Sequence, residues 1–60
     1  MKFKKGDILT SKNHNYHVEV IEMKNDFIFS GEVIYSEYEL YKSGQIVENF
    51  CVDFFEEVLF

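Results

Sequence analysis

Apolar and polar residues alternate along this chain in short bursts, and each burst ends at a glycine or at a cluster of small polar residues. Tyr16, Val18 and Val20 alternate with His17 and Glu19, a period of two that predicts a half-buried strand over Tyr16 to Met23 with its apolar side chains facing a core. The adjacent pair Val20-Ile21 breaks the alternation and predicts a bulge, or a residue buried against a partner. Phe27 to Ser36 reads as the longest strand, with Phe27, Phe29, Val33 and Tyr35 on one face. Gly31 falls on that same face and marks a sharp bend. Lys5-Gly6-Asp7 is a turn that opens into a short strand, Ile8-Leu9-Thr10, and the polar run Ser11 to Asn15 is a loop. Lys24-Asn25-Asp26 is the next turn. Ser36 to Ser43 forms an irregular connection, and Gly44-Gln45 leads into a strand at Ile46 to Glu48.

From Asn49 onward two readings stay open. Asn49 caps a single helical turn over Phe50 to Asp53, followed by a closing strand at Glu56 to Phe60, or the segment is one continuous helix. The first is preferred. Five short strands at spacings of ~8 to 12 residues, with no helix long enough for a crossover, predict an all-β, five-stranded antiparallel barrel with one short helical turn before its last strand. Its core would join Ile8, Val18, Val20, Phe27, Phe29, Val33 and Val58.

Composition agrees with strands. Alanine, proline and tryptophan are absent, while seven Phe and four Tyr raise the aromatic share to 18%. At 60 residues, residues 1–60 are expected to form a single small domain. Disorder is excluded by a hydrophobic share of 47%. No apolar run approaches the ~20 residues that span a bilayer, and the Lys-rich start leads into Gly6-Asp7 instead of an apolar signal core. The expectation is therefore a cytoplasmic protein with no membrane contact. The lone Cys51 can form no internal disulfide.

Charge is unevenly placed. Residues 1–30 carry five lysines against four acids, net +1, whereas residues 31–60 carry Lys42 alone against seven acids, net −6. Arginine, the usual bidentate reader of phosphate and guanine, is absent, so direct nucleic-acid binding is not expected. A protein partner with a basic surface fits better.

The segments Phe3-Lys4-Lys5-Gly6-Asp7-Ile8-Leu9 and Phe29-Ser30-Gly31-Glu32-Val33-Ile34, then Tyr41 with Gly44, then Phe55-Glu56-Glu57-Val58, resemble small uncharacterised SH3-like barrel proteins encoded by phages and prophages. The resemblance covers most of the chain and rests on turn glycines and core positions. It implies an SH3-like barrel and an accessory phage product, acting in the host cytoplasm on a host protein such as a defence component. It implies no catalytic residue. The Ala-Leu-Tyr-Asp-Tyr type of segment and the groove tryptophan of eukaryotic SH3 domains are both missing, so proline-rich peptide binding is not expected.

Candidate chemistry is sparse. His14 and His17, three apart, could share a metal only with a third ligand, and no carboxylate stands at a recognised spacing from them. Cys51 between Phe50 and Val52 reads as a small buried hydrophobe and not as a nucleophile. Glu56 and Glu57, adjacent on a strand, face opposite sides and cannot flank one substrate bond. No enzyme, metal or cofactor is expected.

Tyr35, Tyr38 and Tyr41, with Glu37 and Glu39 among them, form an aromatic series with a negative rim, the pattern of a protein interface; the plainer alternative places Tyr35 and Tyr41 in the core. The expected function is a non-enzymatic interaction module that binds and inhibits a host protein. The alternatives are an acidic nucleic-acid mimic, or a protein that sequesters a small nucleotide between aromatic faces. Such a nucleotide needs positive charge near the aromatics, and only Lys42 lies close in sequence. A homodimer is expected through Phe54, Phe55, Val58, Leu59 and Phe60.

Overall fold

The computed structural model describes residues 3–58. Five antiparallel strands form one sheet: β1 (Ile8–Ser11), β2 (Tyr16–Met23), β3 (Ile28–Ser36), β4 (Ile46–Cys51) and β5 (Phe55–Glu57), with a 3-10 turn (Val52–Phe54) between the last two. The spatial order is β4-β3-β2-β1-β5, so β4 and β5 are the edges. The only helical segment among the described residues is that single turn. No helix there is long and apolar enough to cross a membrane.

The all-β reading holds, and so does the preferred reading of the C-terminal segment as a turn followed by a strand, with shifted bounds. β4 continues through Asn49 to Cys51, and the turn begins at Val52. Asn49 is therefore a strand residue and not a helix cap. The closing strand starts at Phe55; the expected Leu59 and Phe60 lie outside the described residues.

Phe3, Leu9, Val18, Val20, Phe29, Val33, Phe50, Val52 and Phe55 form one buried cluster. Three of the expected core positions are corrected by pairing. Leu9 stands opposite Val18, so Leu9 and Ser11 face inward, while Ile8 lies opposite Glu19 on the other face and is half-buried. Phe27 precedes β3: the Asn25 side-chain oxygen accepts from the Phe27 and Ile28 amides at 2.8 and 2.9 Å, and this turn leaves the Phe27 ring 64% exposed. Val58 is half-buried, its amide donating to the Ile8 carbonyl at 3.1 Å.

The expected bulge is found. Val20 pairs with Gly31 and Glu22 with Ser30, which leaves Ile21 unopposed. A second irregularity was not anticipated. Val18 pairs with Val33 but His17 pairs with Tyr35, so Ile34 has no opposite number. The alternation of β3 switches there, and Tyr35 leaves the face of Phe29 and Val33.

Gly31 is constrained by space. A Cβ built on it would stand 3.1 Å from the Glu19 carbonyl oxygen and 3.2 and 3.3 Å from the rings of Phe29 and Phe50. β3 also slips register with β4 between Phe29 and Gly31. The glycine lets β2 and two phenylalanine rings close over one point of the sheet.

Candidate aromatic cleft

The most organised surface lies where the β1–β2 loop meets the connection between β3 and β4. The Ser11 hydroxyl donates to the Asn15 side-chain oxygen at 2.7 Å and accepts from the Asn15 amide at 3.2 Å, while the His14 amide closes the turn on the Ser11 carbonyl at 2.9 Å. His14 has φ 60°, a left-handed conformation that L residues seldom adopt, and its Nε2 stands 3.4 Å from Glu56 of β5. The Lys12 amide donates to the Phe54 carbonyl at 3.1 Å. These bonds fix the loop against the C-terminal turn.

The other wall is built by Ser36. Its hydroxyl lies 2.8 Å from the Tyr41 carbonyl and 3.0 Å from the Tyr38 carbonyl, and it accepts from the Tyr38 amide at 3.0 Å. The Glu37 amide donates to the Asn15 carbonyl at 2.8 Å, joining the two walls. The tyrosines are thus presented from a braced segment.

Tyr16, first residue of β2, is the centre of the aromatic group. Its ring stacks on Tyr38 at 5.8 Å and 12°, tilts against Tyr41 at 4.9 Å, and meets Phe55 edge-on at 5.7 Å. Burial pushes the Tyr16 phenol above its usual value, and the neighbouring Tyr41 and Tyr38 add to the shift. Tyr38 is exposed and Tyr41 half-buried. In front of Tyr16 and Tyr38 opens a cavity of about 230 Å³, whose remaining lining comes from Phe54 and from Ser11, Lys12, Asn13 and Asn15 of the loop.

Of the residues singled out in the sequence, Tyr38 and Tyr41 are brought together here. Tyr35 is not: it is exposed beside His17 on the other face of the sheet, ring centroids 5.2 Å apart, so it neither completes the core nor joins the patch. The nearby Glu37 carboxylate, as acceptor and as negative charge, holds the Tyr35 phenol above its usual value. Glu37 and Glu39 are exposed on the segment that carries Tyr38. The two histidines have separate neighbours, Glu56 for His14 and Tyr35 for His17. Cys51 is half-buried. Phe55 is 1% exposed and belongs to the chain's own core, which removes it from the expected dimer face, while Phe54 is 66% exposed.

Sequence reasoning placed none of Tyr16, Lys12, Asn13 and Asn15 in a site, and it named Phe54 only as part of a dimer face and not of this cleft. The signal for the loop residues was weak but present: Ser11 and Asn15 bracket a run of small polar residues, the composition of a self-bracing turn. Comparison of the chain with family models, curated proteins and solved structures gives no match.

Proposed function

We propose that this chain is a non-enzymatic protein-interaction module whose tyrosine surface docks on a partner with a basic face. The observation that carries the reading is the bracing of Tyr38 and Tyr41 around the Ser36 hydroxyl, with Tyr38 exposed. Tyrosine supplies contact area at low entropic cost, which suits an anchor. The exposed Leu40, together with Glu37 and Glu39 on the same segment, gives an apolar centre and a negative rim.

The order β4-β3-β2-β1-β5, with a 3-10 turn leading into the last strand, supports reading the sheet as an SH3-like barrel. On that reading the resemblance to phage and prophage proteins points to an accessory product that inhibits a host protein in the host cytoplasm. Capture from a bacterial lysate tests it: the tagged parent is expected to retain a basic protein whose recovery falls with added salt. The double variant Glu37→Lys, Glu39→Lys is expected to lose that protein while its circular dichroism matches the parent. Undiminished capture by the folded double variant would sink the proposal.

A further inference from the structure

We infer that the cavity in front of Tyr16 and Tyr38 binds a nucleoside monophosphate. This site goes beyond the protein-docking reading and does not depend on it, although the two share Tyr38. Three kinds of lining group converge, and each answers one part of such a ligand.

The first is a cation. Lys12 comes from the β1–β2 loop, far from the tyrosines in sequence, yet it lines the same cavity as Tyr38 and Phe54. Among the described residues no carboxylate pairs with it, in a chain of net charge −5. Its position is set by its own amide, which is bound to the Phe54 carbonyl. A lysine at the rim of the cavity with no carboxylate paired to it is the group a phosphate requires.

The second is aromatic surface. Tyr16 and Tyr38 already stack on each other, so no base enters between them. A base instead lies against the open side of Tyr38, with the exposed Phe54 ring as its other neighbour. The third is a pair of amides. The Asn15 side-chain oxygen is taken by the Ser11 hydroxyl, which leaves the nitrogen of that amide as a donor, and Asn13 lines the same cavity. Donors of this kind read the edge of a base.

Size and field then narrow the class. A cavity of about 230 Å³ lies below the ~300 to 1,000 Å³ of pockets that enclose a whole drug-sized ligand, so a nucleoside monophosphate is held at its base and its phosphate and leaves its ribose toward solvent. A net charge of −5 on so small a chain repels polyphosphates and nucleic-acid strands more than it repels a single phosphate.

Calorimetric titration of the full chain with AMP, adenosine and ribose 5-phosphate, at low salt, tests the inference. AMP is expected to bind, with adenosine and ribose 5-phosphate each weaker by about tenfold or more, because each lacks one of the two anchors. Lys12→Ala is expected to weaken AMP about tenfold and leave adenosine unchanged. Lys42→Ala removes the same charge elsewhere on the surface and is expected to have little effect. Both lysines are exposed, so both variants fold, which circular dichroism verifies. Absence of AMP binding at millimolar concentration overturns the inference. Equal losses from the two lysine variants also overturn it, since they would show attraction to overall charge and not to this cleft.

Discussion

Aromatic rings run from one end of this molecule to the other, and the two ends differ in what they do with the same contact geometry. At the inner end Phe29 meets Phe50 and Phe55, each at 5.4 Å, and Phe3 at 6.5 Å, with Phe29 fully buried. At the outer end Tyr16 meets Tyr41 at 4.9 Å and Tyr38 at 5.8 Å, and the series emerges at the surface. Phe55 and Phe50 touch both groups, so the two ends are one continuous packing. Ring contacts are worth about 0.5 to 1.5 kcal/mol beyond area burial at either end, but only the inner ones also gain full desolvation. The phenylalanines therefore supply stability. The tyrosines, whose hydroxyls favour contact with water, supply a shaped surface at low stability cost.

The sharpest break of this comparison is Phe29→Ala. Removing a fully buried ring costs about 3 to 5 kcal/mol, and a core of this size seldom supplies more than that in total. The variant is expected to be unfolded at room temperature, with its strand signal in circular dichroism lost. A cooperative melt close to that of the parent would show that the inner end does not hold the fold. Tyr38→Ala, by contrast, removes a partly exposed ring with two ring contacts and is expected to cost less, about 1 to 3 kcal/mol, and to keep a cooperative melt.

A smaller effect is expected at the point where the inner rings close over the sheet. Gly31→Ala places a methyl group 3.1 Å from the Glu19 carbonyl oxygen, which cannot withdraw without displacing β2, while the two rings can yield slightly. Overpacking of this kind costs about 1 to 3 kcal/mol, against ~0.4 to 1 kcal/mol recovered from a less flexible unfolded chain. The urea midpoint is therefore expected to fall. A midpoint at or above the parent value would show that the strands have room to part.

The same residues show where sequence reading reached and where it stopped. Val18, Val20, Phe29 and Val33 were legible because a period of two is local, and Gly31 was legible because glycine in a strand has few other reasons to be there. Ile8 was preferred to Leu9 wrongly: two adjacent apolar residues satisfy either register, and only the pairing with Val18 decides between them. Tyr35 was misplaced because the bulge that turns it is set by how β3 pairs with His17 and Val18, a non-local fact. The cleft was hidden for the same reason. Lys12, Tyr38 and Phe54 come from three separate connections, and no spacing announces that the fold gathers them. Ser36 carried a readable trace, since a serine two residues before a tyrosine can brace it, but serine is common in any loop.

The subtlest test lies at the junction of the two ends, on the Tyr16 hydroxyl. Its folded pKa is raised by burial and by the neighbouring Tyr41 and Tyr38, so the folded state holds this proton more tightly than the unfolded chain, where tyrosine titrates near ~10. The associated stability is fully present below that unfolded value. It is lost as pH rises through the higher folded value, because ionisation would leave a phenolate partly desolvated beside two other tyrosines. The parent's melting temperature is thus expected to decline in alkaline solution above pH ~10. Tyr16→Phe keeps the ring and its contacts with Phe55 and Tyr41, so neutral-pH stability should barely change, while the alkaline decline becomes shallower. Thermal melts of both proteins across that range give the answer. Superimposable profiles would mean that Tyr16 is hydrated like a surface residue, and the inner end of the aromatic series would then stop at Phe55.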